Sequence, residues 1–276
     1  MKIAFTKMQG LGNDYIYIDC FKTPVDTLPD PSKLAARLSC RRFSVGADGL
    51  VLILPSDKAT ARMRMFNADG SEGLMCGNAI RCVGKYLYER GLISPDTREI
   101  TVETGSGIRS LSLSVRDGVV NSVTVDMGTA EVSEEITAQT AGKNYRLIPV
   151  SVGNPHWVCF VDDLADVDVE SVGRVLSASV AGGVNVEFVE ILDDLTLRMR
   201  VFERGSGVTL ACGTGACASV AAAVAKGYCP ANTPVTVLLD GGALTVIHTN
   251  SGTAGGITYM IGGAELIYDG VWEGVV

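Results

Sequence analysis

Two Cys-Gly pairs, Cys76-Gly77 and Cys212-Gly213, each close an apolar segment and each lead into a small polar residue and a run of helix formers. A thiol at the start of a helix lies beside backbone N–H groups that have no partner within the helix, and these, with the helix dipole, stabilise its thiolate. The same N–H groups can hold a carboxylate. Gly77 and Gly213 remove the side chains that would block such an approach. Two such thiols acting on one carbon would invert it. One thiolate removes a proton from one face, the other thiol returns a proton to the opposite face, and the helix N-termini stabilise the charge that builds between the two steps. The other six cysteines, Cys20, Cys40, Cys82, Cys159, Cys217 and Cys229, read as small core hydrophobes.

The two pairs belong to a repeat. Arg62-Met63-Arg64-Met65-Phe66 recurs as Arg198-Met199-Arg200-Val201-Phe202, an offset of 136 (198 − 62), and the Cys-Gly pairs follow at the same offset. Arg90-Gly91 matches Lys226-Gly227, and Gly12-Asn13 before a strand-like run matches Gly153-Asn154 before another. A period this long marks a duplicated domain rather than a solenoid. An active site is therefore expected at the interface of two similar halves, a favoured place for ligand pockets.

The elements that must carry these residues are mostly strands. Alternating or β-branched runs predict strands over 4–19, 50–54, 61–66, 100–104 and 110–115, and in the second copy over 147–152, 157–161, 184–191, 196–202, 235–239 and 244–248. A helix is predicted from Pro31, after Asp30. The segments after Cys76 and Cys212 read as one helix per half, each stopped by a cation and then glycine, at Gly91 and Gly227. The chain reads as α+β: two pseudo-symmetric domains, each of strands around a central helix. The expected boundaries are 1–120, completed by 263–276, and 121–262.

Composition narrows the function. The 276 residues are 47 % apolar and 20 % charged, which is globular composition, and the net charge of −8 argues against nucleic acid or an anionic membrane as main partner. The longest apolar runs, such as 218–225, fall far short of a bilayer span, and the N-terminus carries no signal-like apolar core, so a cytoplasmic protein with reduced thiols is expected. With two histidines, His156 and His248, and no CxxC pair, neither a metal site nor any other cofactor is expected.

NADGSEGLMCGNAIRC (Asn67 to Cys82) and ERGSGVTLACGTGACA (Glu203 to Ala218) closely resemble the two signature segments of the diaminopimelate epimerase family, and KMQGLGNDY, GNPHWV and GVNVEFV sit where that family has them. The resemblance spans essentially the whole chain. It implies two domains, each a β-barrel-like sheet wrapped around a central helix, and cofactor-independent interconversion of LL- and meso-2,6-diaminopimelate, on the way to lysine and peptidoglycan. It makes Cys76 and Cys212 the catalytic thiols and His156 and Glu203 the groups that tune them. Diaminopimelate carries an amino and a carboxylate group at each end. The resemblance assigns its binding to Asn13, Asn67, Asn154, Asn185, Glu203 and Arg204, with Gly77, Asn78, Gly213 and Thr214 at the helix starts; a homodimer is the expected assembly. Arg204 would fork onto the distant carboxylate.

Two departures stand out: Gly49, where many members have Gln, and Ala79, where Gly is frequent. Two-cysteine racemases for other amino acids, of the proline or histidine type, are the nearest alternatives. The proline type is expected to carry His after the first Cys-Gly, where this chain has Asn78. A non-enzymatic thiol-binding module is the alternative of another class.

The pairing of the two thiols sets a first expected outcome. Cys76→Ala and Cys212→Ala should each nearly abolish turnover, since one proton transfer contributes about 10²–10⁴-fold. Cys82→Ala and Cys217→Ala should keep most of it, and exhaustive chelation should leave the wild type active; steady-state assays of the four variants check this.

Overall fold

A computed structural model describes residues 1–140, 142–249 and 255–275. The chain divides into two compact units, Met1–Val125 with Gly262–Val276, and Asp126–Ile261.

The first unit holds strands β1 (Lys2–Gly10), β2 (Asn13–Asp19), β3 (Gly49–Leu54), β4 (Ala61–Asn67), β5 (Glu72–Gly73), β6 (Glu99–Thr104), β7 (Gly107–Arg116) and the first part of β8 (Val119–Val132), with helices α1 (Pro31–Ser39) and α2 (Gly77–Glu89). The second holds the rest of β8, β9 (Ile136–Thr140), β10 (Lys143–Ser151), β11 (Pro155–Val161), β12 (Asn185–Asp193), β13 (Thr196–Glu203), β14 (Gly207–Thr209), β15 (Pro234–Leu239), β16 (Gly242–His248) and β17 (Gly256–Gly262), with helices α3 (Val169–Ala178) and α4 (Gly213–Ala225). The last strand, β18 (Glu265–Glu273), lies in the first unit, antiparallel to β1.

The two units repeat one pairing scheme. In the first, β2 runs parallel to β3, β3 antiparallel to β4, and β4 parallel to β6 with β5 as a short antiparallel flap. In the second, β11, β12, β13, β15 and β14 do the same in turn. The first sheet runs β18-β1-β2-β3-β4-β6-β7-β8. In the second, β8 pairs with β10 at one end and β17 at the other, which closes a ring of eight strands. The architecture is α+β, with a barrel-like sheet around one central helix in each unit.

The central helices fill their sheets differently. In α4 every residue from Gly215 to Ala223 is buried, nearly all of them Gly, Ala, Ser or Cys, and only small side chains let a helix pass so close to strands on all sides. In α2 the interior includes Arg81 and Lys85. Arg81 Nε donates to the Gly263 carbonyl at 3.1 Å, and Lys85 Nζ donates to the Val120 carbonyl at 2.9 Å and to Glu89 at 2.6 Å. Both helices stop as their sequence predicts: Gly91 (φ 68°) and Gly227 (φ 74°) take the left-handed conformation, and their N–H groups bond back to Tyr88 and Val224.

α1 and α3 pack on the outside of their sheets, each over an apolar cluster: Leu34 and Leu38 with Ile16, Leu50 and Leu52, and Val172 and Leu176 with Val186, Phe188 and Phe202. α3 was not predicted. Asp168 caps it as Asp30 caps α1, at an offset of 138 (168 − 30), so the repeat carried the signal. The run predicted as one strand over 4–19 is the hairpin β1–β2, turned at Leu11-Gly12 with both residues at positive φ.

Ala222→Leu tests the enclosed packing of α4. A larger side chain with no free volume around it should destabilise the protein by about 1–3 kcal/mol, read as a lowered thermal midpoint.

Candidate active site

Cys76 and Cys212 occupy the same place in their units, the residue just before the central helix. Both have extended backbone, φ −134° and −125°. A short flap, β5 or β14, folds back on the preceding strand and delivers the chain to the helix start. The first helical turn begins with Gly77 and Asn78 in one unit and Gly213 and Thr214 in the other, and its leading N–H groups have no acceptor further back in the helix.

In the first unit the Cys76 thiol donates to Asn13 Oδ1 at 3.4 Å, across the β1–β2 hairpin end. Asn13 Nδ2 donates to Asp48 Oδ2 at 2.9 Å. Behind them lies a charged cluster: Lys7 Nζ pairs with Asp14 at 2.5 Å, and Arg41 bridges Asp14 and Asp48. Burial pulls the Lys7 ammonium below its usual value, against the pull of Asp14; burial would raise the Asp14 carboxyl, but hydrogen bonds from Arg41 and Lys7 take it below the ordinary range. Asn67, at the end of β4, is exposed and bonds to Ser71 Oγ at 2.9 Å. Asn78 and Ala79 are buried in the first turn of α2.

Gly49 has a structural reason. A Cβ there would stand 2.1 Å from the Phe66 carbonyl oxygen and 2.7 Å from the Tyr15 ring, so this backbone excludes a glutamine at that position.

The second unit gathers more of the expected residues. Cys212 Sγ accepts from Gly215 N–H at 3.4 Å and lies 3.5 Å from Thr214 Oγ1. Asn154 Nδ2 donates to Thr214 Oγ1 at 3.4 Å, and Asn154 Oδ1 meets His156 Nε2 at 3.0 Å. The other ring nitrogen, Nδ1, is 2.7 Å from Glu187 Oε1. His156 therefore reaches the thiol through Asn154 and Thr214. Asn185 Oδ1 accepts from the Arg204 backbone N–H at 2.9 Å, while the exposed Arg204 guanidinium donates to the Gly182 carbonyl at 3.3 Å.

Sequence reasoning missed Glu187. It is fully buried, its Oε2 has no hydrogen-bond partner among the described residues, and a Cβ on Gly215 would lie 2.7 Å from its Oε1. The signal available was a carboxylate inside the apolar run GVNVEFV. Burial, then the charges of Glu203 and Glu187, push the Cys212 thiol well above its ordinary value, against the hydrogen bonds from Thr214 and Gly215. Burial likewise raises Glu203, against hydrogen bonds from Thr209 and Cys212. Cys212 and Glu203 thus each raise the cost of a negative charge on the other. Among the described residues no cluster of three or more His, Cys, Asp or Glu is arranged to hold a metal ion, and no helix is long and apolar enough to cross a membrane.

A family profile described as diaminopimelate epimerase matches residues 5–133 and 148–267. A diaminopimelate epimerase of Phocaeicola vulgatus is 50 % identical, with 98 % of each chain covered. One of Bacteroides thetaiotaomicron is 46 % identical over 99 % of each, and one of Acetivibrio thermocellus 44 % identical over 97 % of this chain and 98 % of the other. Among solved structures, a Bacillus anthracis phenazine biosynthesis protein superposes with TM-score 0.79 at 16 % identity, covering 99 % of each chain. A hydroxyproline epimerase of Agrobacterium vitis superposes with TM-score 0.75 at 18 % identity, covering 98 % of this chain and 92 % of the other. At those identities the likeness concerns the fold alone.

The raised Glu203 sets a pH expectation. The folded state holds a proton on Glu203 at pH values where the unfolded chain, near the ordinary 4.5, has lost it. Stability is therefore lost as pH rises from 4.5 toward the folded value. Glu203→Gln removes this contribution, so the variant should gain thermal stability relative to wild type as pH rises through that window and match it below; paired melting curves across pH check this.

Proposed function

The chain belongs to the diaminopimelate epimerase family, and we propose on that premise that it interconverts LL- and meso-2,6-diaminopimelate through Cys76 and Cys212. It is an isomerase. The observation that carries the residue assignment is the equivalent placement of the two thiols, each at the open N-terminus of its unit's buried helix.

Glu203 accepts the proton of the Cys212 thiol, leaving a thiolate held by Gly215 N–H and the Thr214 hydroxyl. The thiolate takes the α-proton of the substrate from one face, and the C–H electron pair passes into the adjacent carboxylate. The Cys76 thiol then protonates the opposite face of the carbon and becomes the thiolate. Reaction in the other direction exchanges the roles. The N–H groups of Gly77, Asn78, Gly213 and Thr214 stabilise the charge that builds on the carboxylate. His156, set between Glu187 and Asn154, fixes the Asn154 amide and tunes Cys212. Asn67, Asn154, Asn185 and Arg204 hold the distal amino acid group, and Asn13 the reacting end. Neither metal nor organic cofactor takes part. The protein acts in the cytoplasm, as a homodimer, supplying lysine and peptidoglycan precursors.

Incubation with LL-diaminopimelate in deuterated water tests the reading. Meso product should form with deuterium at one α-carbon; binding without exchange would overturn it. Arg204→Met should raise KM far more than it lowers kcat, by about 1.5–3 kcal/mol for a charge-assisted contact, and a monocarboxylic amino acid should be a poor substrate of the wild type.

A further inference from the structure

Asn13 is held from one side only by groups that fix which way its amide points. Asp48 Oδ2 accepts from Asn13 Nδ2 at 2.9 Å and from the Asp14 backbone N–H at 3.0 Å, while Asp48 Oδ1 accepts from Arg41 Nη2 at 2.9 Å. The Asp48 backbone is pinned as well, its N–H donating to the Asp14 carbonyl at 2.7 Å. A carboxylate with three donors on it can only accept. The amide nitrogen of Asn13 must therefore face Asp48, and its oxygen must face the other way, onto Cys76 Sγ at 3.4 Å.

We propose that Asp48 is a positioning residue for the thiol of the first unit, locking Asn13 as a hydrogen-bond acceptor at Cys76. An acceptor at that point favours the neutral thiol, because a hydrogen bond donated by the protonated form stabilises that form. It keeps the Cys76 proton ready for delivery, and it matches a donor on the incoming substrate, such as the ammonium of the reacting centre, and not a carboxylate. Arg41 and Lys7 hold Asp14 and Asp48 in turn, so the orientation is set by a charged cluster and does not depend on Asn13 itself. The second unit uses no such direct clamp: the equivalent Asn154 turns its oxygen to His156 and its nitrogen toward Thr214, beside Cys212.

The inference rests on Cys76 being a reacting thiol, but its test requires no substrate. Iodoacetamide labelling of the free protein at neutral pH, followed by peptide mapping, gives the alkylation rate of Cys76 with Cys212 as internal reference. In Asp48→Ala the Asn13 amide can turn its N–H onto the sulfur. Cys76 labelling should then rise about tenfold, the worth of one hydrogen bond, with Cys212 unchanged. Asp48→Asn, which keeps an oxygen for Asn13, should fall between the two and serves if the alanine variant fails to fold. In an Asn13→Ala background Asp48→Ala should alter Cys76 labelling less than about twofold, because the two changes act through one contact. In turnover, the loss in Asp48→Ala should appear in kcat more than in KM. Unchanged Cys76 labelling in both Asp48 variants, or an equal rise with and without Asn13, would overturn the proposal. Whether Cys76 is essential is read separately, from turnover of Cys76→Ala.

Discussion

A helix surrounded by its own sheet has nowhere to hide the N–H groups of its first turn. Four of them lack partners within any helix, and in α2 and α4 the following turns are buried among strands. The ends must open onto something that accepts hydrogen bonds. In each unit that end carries a cysteine, and in α4 its sulfur already takes one N–H, from Gly215. The features that distinguish this chain follow from that constraint: glycine just inside each helix, small residues along α4, and a short flap that brings the chain to the helix start without covering it.

The same frame gives the two thiols different electrostatic surroundings. Cys76 is half-buried and looks onto an amide oxygen backed by a solvent-edge cluster of two carboxylates and two cations. Cys212 is buried beside Glu203 and Glu187, and its field raises the cost of a second negative charge. In a low-dielectric interior such charges act strongly on one another, and the His156 ring meets Glu187 on one side and Asn154 on the other. The duplicated scaffold is thus the same in both units, while the charged groups around its two thiols differ.

The glycine at position 49 shows how the scaffold limits the chemistry. In the second unit the equivalent position, opposite His156 in the parallel β11–β12 pair, is Asn185, which bonds to Arg204. In the first unit Gly49 lies opposite Tyr15 in the parallel β2–β3 pair, and the Phe66 carbonyl and the Tyr15 ring take the space of any side chain. A polar contact available in one half is closed in the other by backbone approach.

The sequence by itself determined what depends on short range. The Cys-Gly pairs, the helices behind them with their cation-glycine stops, and the duplication all lie in runs of adjacent residues, and the family's motifs carry the chemistry with them. It also held the signal for α3, in the match of Asp168 to Asp30 and of Val172 and Leu176 to Leu34 and Leu38, although helical periodicity alone did not bring it out. The tertiary structure decided which polar groups meet. Parallel pairing of β2 with β3 brings the 46–49 loop to Asn13, and so Asp48 onto its amide; parallel pairing of β11 with β12 sets Asn185 beside His156, and the two-residue period of a strand then puts Glu187 on the same face, against the His156 ring. Strand register joins residues that are 31 and 35 positions apart, and no local pattern encodes that distance, because the energy that fixes it comes from burying the whole sheet.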